Sequence, residues 1–369
     1  MDIILAGGGT AGHVSPALAV SEEILSREPR SRILFIGREG GKENDAVAKA
    51  GIELKTIKIE GIQRKISLEN AKRIYRAFRA VGASKSIIRD FKPDVILGTG
   101  GYVCWPVLKA GISLGIPTAI HESNISPGLA TKLLSSKCNR VFLNYPDTQE
   151  YLSRKARCLA VGNPLRHSFK KIKREDARRL LGIKENEIFI LSVGGSIGAK
   201  RLNDVACELM RSYSVTDSQV RHVHATGVRY FDDVSSDILA KGKNGCRIVP
   251  YIDDMPTYLS AADIVISRAG AMTISEISAV GVAAILIPSP NVSDNHQFKN
   301  ADKLEKAGAV TLIEEKNLSL EALKNAVISL KSSKIERKNK AKIISNFSSP
   351  NASRLIFNEL KKLVFDNKS

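Results

Sequence analysis

Asp2-Ile3-Ile4-Leu5-Ala6-Gly7-Gly8-Gly9-Thr10-Ala11-Gly12-His13 opens the chain, and Glu187-Ile188-Phe189-Ile190-Leu191-Ser192-Val193-Gly194-Gly195-Ser196-Ile197-Gly198-Ala199 opens it a second time. Each stretch is an apolar, strand-sized run that meets glycines and then a helical pattern. Outward from the first, Arg32–Ile36, Thr56–Ile59, Asp94–Leu97, Thr118–Ile120 and Arg140–Leu143 read as strands. Helical patterns near 15–27, 43–50, 68–90, 105–114 and 127–136 alternate with them. Outward from the second, Val220–Ala225, Arg247–Val249, Asp263–Ser267 and Ala283–Pro288 alternate with helices near 199–211, 271–280, 295–307 and 319–331. Strands that are apolar throughout, separated by helices, predict parallel sheets covered on both faces. The fold class is therefore α/β, with two Rossmann-like parallel-sheet domains. The expected ranges are 1–161 and 162–349, with Val161-Gly162-Asn163-Pro164 as linker. A last helix near 350–369 carries Leu355, Ile356, Leu360 and Leu363 near one face and is expected to dock on the first domain.

Composition narrows the class of activity. A chain of 369 residues suits two domains, and 43% hydrophobic residues give each a core. No apolar run approaches the roughly 20 residues that span a bilayer. The opening Met1-Asp2-Ile3-Ile4 has no basic leader, so a cytosolic chain without signal peptide is expected. Cys104, Cys138, Cys158, Cys207 and Cys246 are too dispersed for a metal or disulfide framework. The net charge of +18 suits anionic partners. With 5% aromatic residues and no recognisable reading motif, nucleic acid is the weakest of them.

Three turns carry the chemistry. Gly7, Gly9 and Gly12 formally match the dinucleotide fingerprint, but strand two ends Ile36-Gly37-Arg38 where a ribose-binding acid belongs. A nicotinamide or flavin oxidoreductase is thus disfavoured. Glycines let a ligand approach the backbone, and amides at a helix start favour anions. His13, at such a start, reads either as a proton acceptor kept neutral by the helix or as a capping residue. The turn after Val193 repeats the pattern. The third, Arg268-Ala269-Gly270-Ala271-Met272-Thr273-Ile274-Ser275-Glu276, again opens a helix, and Glu276 can receive the two hydroxyls of a ribose or be an ordinary helix-start charge. No Asp-x-Asp occurs, which argues against a divalent metal at a diphosphate; Asp253-Asp254 read as turn or cap acids.

These turns occur in order with Thr99-Gly100-Gly101-Tyr102, His121-Glu122-Ser123-Asn124, Gly162-Asn163-Pro164-x-Arg166 and Asn295-His296-Gln297. The whole series, from residue 1 to about 360, resembles the MurG family, lipid-linked muramyl-pentapeptide N-acetylglucosaminyltransferases of peptidoglycan synthesis. The resemblance implies the GT-B fold, with two Rossmann-like domains facing a deep interdomain cleft. It implies inverting transfer of N-acetylglucosamine from UDP-N-acetylglucosamine to the C4 hydroxyl of lipid I, giving lipid II, without a cofactor. By position it implies donor contacts from Thr10, Ala11, Gly12, Asn124, Arg166, Ser196, Ile252, Ala271, Met272, Thr273, Ile274, Ser275, Glu276 and Gln297. Among these, Arg166 and Ser196 would meet the diphosphate, the Ile252 backbone the uracil, Glu276 the ribose, and Asn124 and Gln297 the sugar. Ala11, Ser123 and His296 depart from the family's more usual Gly, Gln and Gln. His13 is the candidate base and Glu122 the runner-up.

The implied setting is the inner face of a bacterial membrane, with roles in wall biogenesis, cell shape and division and with other wall-synthesis proteins as further partners. Segment 64–92 fits it: nine Lys/Arg (64, 65, 72, 73, 76, 79, 85, 89, 92) against two acids (69, 90). Its stripe of Leu68, Ala71, Ile74, Tyr75, Phe78 and Val81 reads as a core-facing helix surface or as a lipid-facing one. Trp105 reads either way too. Rival activities are transfer to another lipid acceptor, sugar-nucleotide epimerisation, and a binding role in a chain that has lost catalysis.

Overall fold

The computed structural model describes residues 1–41, 44–61, 68–170, 172–195, 198–214, 219–235 and 245–368. The chain divides into two compact units, Met1–His167 with Ser349–Ser369, and Ser168–Ser348.

The first unit contains β1 (Ile3–Ala6), α1 (Ala11–Arg27), β2 (Ile33–Arg38), α2 (Asn44–Lys49), β3 (Glu53–Ile57), α3 (Leu68–Phe91), β4 (Val95–Gly98), α4 (Cys104–Ser113), β5 (Thr118–Glu122), α5 (Leu129–Leu134), β6 (Arg140–Leu143) and β7 (Cys158–Ala160). The strands are parallel, in the order β3-β2-β1-β4-β5-β6-β7. Successive side chains of a strand point to opposite faces, and both faces are covered here. Ile3, Leu5, Phe35, Val95 and Leu97 pack against Val14, Ala17 and Leu18 of α1. Ile4, Ala6, Ile36 and Ile96 pack on the other side, against Ala77 and Ala80 of α3 and Val107 and Leu108 of α4. Burying each such side chain contributes about 1.5–3 kcal/mol, which is why these strands tolerate no polar position.

The second unit contains α6 (Arg174–Leu180), β8 (Ile188–Val193), α7 (Lys200–Ser214), β9 (Val220–Ala225), α8 (Phe231–Ser235), β10 (Cys246–Val249), α9 (Met255–Ala261), β11 (Ile264–Ser267), α10 (Ala271–Val280), β12 (Ala283–Leu286), α11 (His296–Lys306), β13 (Val310–Leu312), α12 (Leu320–Ser332) and α13 (Lys334–Ser345). Its order, β10-β9-β8-β11-β12-β13, repeats the first unit's from the third strand inwards, again parallel. α14 (Ala352–Lys368) returns to the first unit. There Ile356, Phe357, Leu360 and Leu363 join the core beside α1, and Arg140 Nε meets Glu359 Oε2 at 3.0 Å.

Three elements differ from the sequence reading. β3 begins at Glu53 because it is an edge strand with exposed Glu53, Lys55 and Thr56, and an apolar-run criterion misses such a strand. β7 and β13 are three-residue edge strands, too short to stand out along the chain. Val161–Pro164, read as an exposed linker, is buried, and the division falls at His167/Ser168. The Gly162 carbonyl accepts a hydrogen bond from His121 Nε2 at 3.0 Å, and the Gly162 amide donates to Leu143. Glycine and proline here shape a turn inside the first unit rather than freeing a hinge.

Candidate functional site

In each unit the site candidates follow the two central strands, from which the chain leaves to opposite faces. After β1 it enters α1 on one face, and after β4 it enters α4 on the other. After β8 it enters α7, and after β11 it enters α10, again on opposite faces. At such switch points the strand ends leave a crevice that no helix covers, the usual ligand position in open α/β sheets.

In the first unit, the turn Gly7–Gly12 and the turn Thr99–Tyr102 meet around His13. Thr99 Oγ1 donates to the His13 carbonyl at 2.6 Å. Gly100 and Gly101 have φ of 110° and 81°. A Cβ on Gly100 would lie 2.6 Å from His13 Cδ2, and one on Gly101 would lie 2.0 Å from the Gly8 oxygen. Only glycine lets this loop pass so close beneath the imidazole. His13 Nδ1 lies 3.1 Å from the Gly8 oxygen and 3.1 Å from Thr10 Oγ1. A carbonyl can only accept, so Nδ1 carries the proton and Nε2 of the neutral ring is the basic nitrogen. One nitrogen of His13 thus anchors the turn, and the basic one is Nε2. The backbone of Ala11 begins α1, and Thr10, extended at φ −152°, precedes it.

Glu122 ends β5 and is 5% exposed. Its Oε1 accepts from the Asn124 amide at 3.1 Å and from Asn124 Nδ2 at 3.2 Å. Its Oε2 accepts from the Gly128 amide at 2.9 Å and Thr131 Oγ1 at 2.7 Å. With all four bonds made, this carboxylate organises the loop 123–131 and orients Asn124. Accepting on both oxygens, the carboxylate is placed to hold this loop in position. Arg166 lies in the first unit, half-exposed, with Nε on Glu22 Oε1 at 2.7 Å. Glu22 is on α1, about two and a half turns beyond His13.

In the second unit, Ser196 falls outside the described residues. α10 starts at Ala271 after an extended Gly270, and no side chain caps it, so Ala271, Met272 and Thr273 present first-turn amides. Met272, Ile274 and Ser275 are buried. Arg268 ties this turn to its neighbours: Nη1 donates to the Ile287 and Pro288 carbonyls at 3.1 and 3.3 Å, and Nη2 pairs with Glu315. Ile252 is 5% exposed with its side chain in the core, and among the described residues nothing hydrogen-bonds its backbone. Asp254 is a helix cap, accepting from the Thr257 amide at 3.4 Å and Thr257 Oγ1 at 2.5 Å. Gln297 Oε1 accepts from the Ser289 amide at 2.9 Å. This bond holds the start of α11 beside a cavity of about 600 Å³ bordered by Asn295 and Phe298.

Glu276 and the loop after β10 share one environment, since both Glu276 and Asp253 raise the Tyr251 phenol beyond what its burial does. Desolvation pushes the Glu276 carboxyl up to about 8. Its surface is only partly covered, which tempers the effect. A ribose diol donates to the ionised form, so a protonated Glu276 must lose its proton before it accepts both hydroxyls. If Glu276 receives a ribose, affinity for a nucleoside diphosphate should rise from pH 6 to pH 8 and level above it. Roughly five- to tenfold is expected, below the tenfold per pH unit of a fully coupled proton. Calorimetric titration across that range tests this, and Glu276→Gln should flatten the profile; an equal slope in the variant would assign it elsewhere.

Comparison with known proteins places the chain among sugar transferases. The glycosyltransferase family 28 N-terminal domain matches residues 3–143, and the family 28 C-terminal domain matches residues 189–356. A protein of Acetivibrio thermocellus is 38% identical over 369 residues, covering 100% of both chains. It is named UDP-N-acetylglucosamine–N-acetylmuramyl-(pentapeptide) pyrophosphoryl-undecaprenol N-acetylglucosamine transferase. The crystal structure of Acinetobacter baumannii MurG superposes with a TM-score of 0.76 at 26% identity, covering 98% of this chain and 99% of that one. A UDP-GlcNAc 2-epimerase from Neisseria meningitidis, bound to UDP-GlcNAc, reaches a TM-score of 0.70 at 16% identity, with coverage of 98% and 100%. That likeness concerns the fold alone.

Proposed function

Because the chain belongs to glycosyltransferase family 28, with the MurG-type transferases as full-length relatives, we propose that it transfers N-acetylglucosamine from UDP-N-acetylglucosamine to the C4 hydroxyl of lipid I. The product is lipid II, with inversion at the anomeric carbon. The observation that carries this reading is the anchored imidazole of His13, held through Nδ1 so that Nε2 is basic. Nε2 takes the proton of the acceptor hydroxyl as its oxygen bonds to the anomeric carbon. The bond from that carbon to the donor phosphate breaks, and its electron pair leaves with UDP. In the second unit the first-turn amides of α10 and the second glycine turn meet the diphosphate charge; in the first, Arg166, held on Glu22, is a further phosphate contact. Dipoles held in place in this way need no rearrangement as the charge develops. Ile252 reads the uracil, Glu276 the ribose, and Asn124 and Gln297 the sugar. Incubation with radiolabelled UDP-N-acetylglucosamine and lipid I tests the reading. Label should enter the lipid fraction; release of an epimerised sugar nucleotide without lipid labelling would favour the epimerase reading.

The acceptor's lipid places the reaction at a membrane, and α3 supports contact with the inner leaflet. No helix among the described residues is long and apolar enough to cross a bilayer. α3 buries Ala77, Ala80 and Ile88 and turns Ile74, Tyr75 and Phe78 outward, at 44%, 65% and 62% exposure. The face that sequence reading left open between core and lipid is thus largely a surface one. Phe78 meets Trp105 edge-on, with ring centroids 5.6 Å apart. Arg76 and Arg73 are held by Glu60 at 2.5 and 3.4 Å, which arrays their charge beside the apolar patch. Leu68 and residues 64–67 add nothing to this picture, since the latter lie outside the described residues and the Leu68 side chain is not placed. An exposed aromatic patch bordered by cations suits an anionic leaflet, each cation near the surface adding about 1 kcal/mol. The protein should sediment with anionic vesicles at low salt and leave them at high salt, and Phe78→Glu should weaken both. Equal binding to neutral vesicles would defeat the electrostatic part.

A further inference from the structure

The second unit holds a buried polar chain that the transfer reaction does not use. Ser192 on β8, His222 and His224 on β9 and Thr226 just past β9 are fully buried, and Asn203 on α7 is 1% exposed. Ser192 Oγ lies 2.6 Å from His222 Nε2 and 2.7 Å from His224 Nδ1. His224 Nε2 lies 3.2 Å from Asn203 Oδ1, and Asn203 Nδ2 donates to the Thr226 carbonyl at 3.0 Å.

The direction of every link follows from its last member. A carbonyl only accepts, so the Asn203 amide nitrogen faces Thr226 and its oxygen faces His224. His224 Nε2 must then carry a proton. Burial keeps the ring neutral, so His224 Nδ1 has none and accepts from the Ser192 hydroxyl. The Ser192 oxygen, its proton spent, accepts from His222 Nε2. No member can turn round without leaving a buried group unpaired, which costs more than the bond itself contributes.

The end of this chain touches the second glycine turn. Gly198 has φ +85°, and a Cβ there would lie 2.2 Å from the Thr226 oxygen and 2.6 Å from the Tyr230 ring. A Cβ on Gly194 would lie 3.0 Å from Asn203 Oδ1. Gly194 and Gly198 therefore pack on the Asn203 carboxamide and the Thr226 carbonyl, which the histidine chain holds in one orientation.

We propose that Asn203 is a positioning residue for the donor diphosphate, acting with Thr226 at the end of a one-way chain from His222 through Ser192 and His224 to hold Gly194 and Gly198 of the second glycine turn in place. This rests on the reading that the turn receives the diphosphate. Asn203→Asp leaves an oxygen for His224 but sets a second oxygen against the Thr226 carbonyl. Calorimetry should then show UDP binding weakened about tenfold, the cost of one unmatched buried polar pair. The donor KM should rise by the same factor, with kcat and the lipid I KM within about twofold of the parent. His224→Gln, whose amide can still donate to Asn203, should bind UDP better than Asn203→Asp. Nitrogen-15 spectra of the unaltered protein should show the Nε2–H tautomer at both His222 and His224. Unchanged UDP binding by Asn203→Asp, an equal rise in the lipid I KM, or an Nδ1–H tautomer at His224 would overturn the assignment. If the unaltered protein failed to bind UDP, the reading of the turn would fall, while the tautomers would still decide the chain.

Discussion

His13→Ala is expected to lower turnover about 100- to 10,000-fold at saturating donor and acceptor, the usual worth of a general base. The expectation comes from the imidazole's anchorage. Nδ1 is committed to the Gly8 carbonyl, so the neutral ring is basic only at Nε2. The loop Thr99–Tyr102 supports the ring from below and holds the His13 carbonyl through Thr99 Oγ1. The donor contacts proposed for the second unit do not involve His13, so UDP affinity should stay within about twofold of the parent, a loss confined to the chemical step. Glu122→Ala should behave differently. It frees the Asn124 and Gly128 amides and the Thr131 hydroxyl together, so it should lower thermal stability and sugar-donor affinity more than it slows the chemical step at saturation. Steady-state kinetics with calorimetric binding separate the two. Near-normal turnover of His13→Ala, or a specific loss of turnover in a stably folded Glu122→Ala, would exchange their roles.

The second unit should lose stability in mild acid. Burial holds the His224 imidazole down to about 4 and His222 well below the usual imidazole value, which the neighbouring His224 lowers further. A depressed folded value means that the unfolded chain takes up the proton first. The stabilisation is complete above the unfolded value, near pH 6.5, and is lost as pH falls towards the folded one. Between pH 6.5 and about 4 His224 alone accounts for roughly 3 kcal/mol. Glu276 works in the opposite sense over this window, because a carboxyl raised to about 8 when folded favours the folded state as pH falls below 8. The measurement therefore belongs on a Glu276→Gln background. Depressed carboxyls such as Glu187 do not interfere, since their contribution is lost only as pH falls below the ordinary carboxylate value. Amide protection factors in β8 and β9 should fall between pH 6.5 and 4.5, and His224→Gln should flatten that fall. An unchanged fall in the variant would remove His224 from the account.

Much of the site could be read along the chain because its signals are local. A glycine turn after an apolar run needs only a dozen neighbouring residues to be recognised, and Gly7–His13, Gly194–Gly195 and Arg268–Glu276 follow the central strands β1, β8 and β11. The chain is silent where a residue's setting depends on distant partners. The four donors that meet Glu122, spread over residues 124–131, leave no mark at Glu122 itself. The Glu22 partner of Arg166 lies on another element. Asn203 carried no sequence signal, since a buried asparagine in a helix looks like any other until His224 and Thr226 are brought to it.

The order of residues was enough to determine that this protein builds two parallel α/β sheets, each with a glycine turn after its central strand, because apolar periodicity and backbone freedom act over a few residues. Tertiary structure alone decided which nitrogen of His13 is basic, which side of α3 meets solvent, and which way the buried histidine chain runs. Those outcomes depend on hydrogen-bond partners and covering side chains supplied by other strands and helices, and no short stretch of chain contains them.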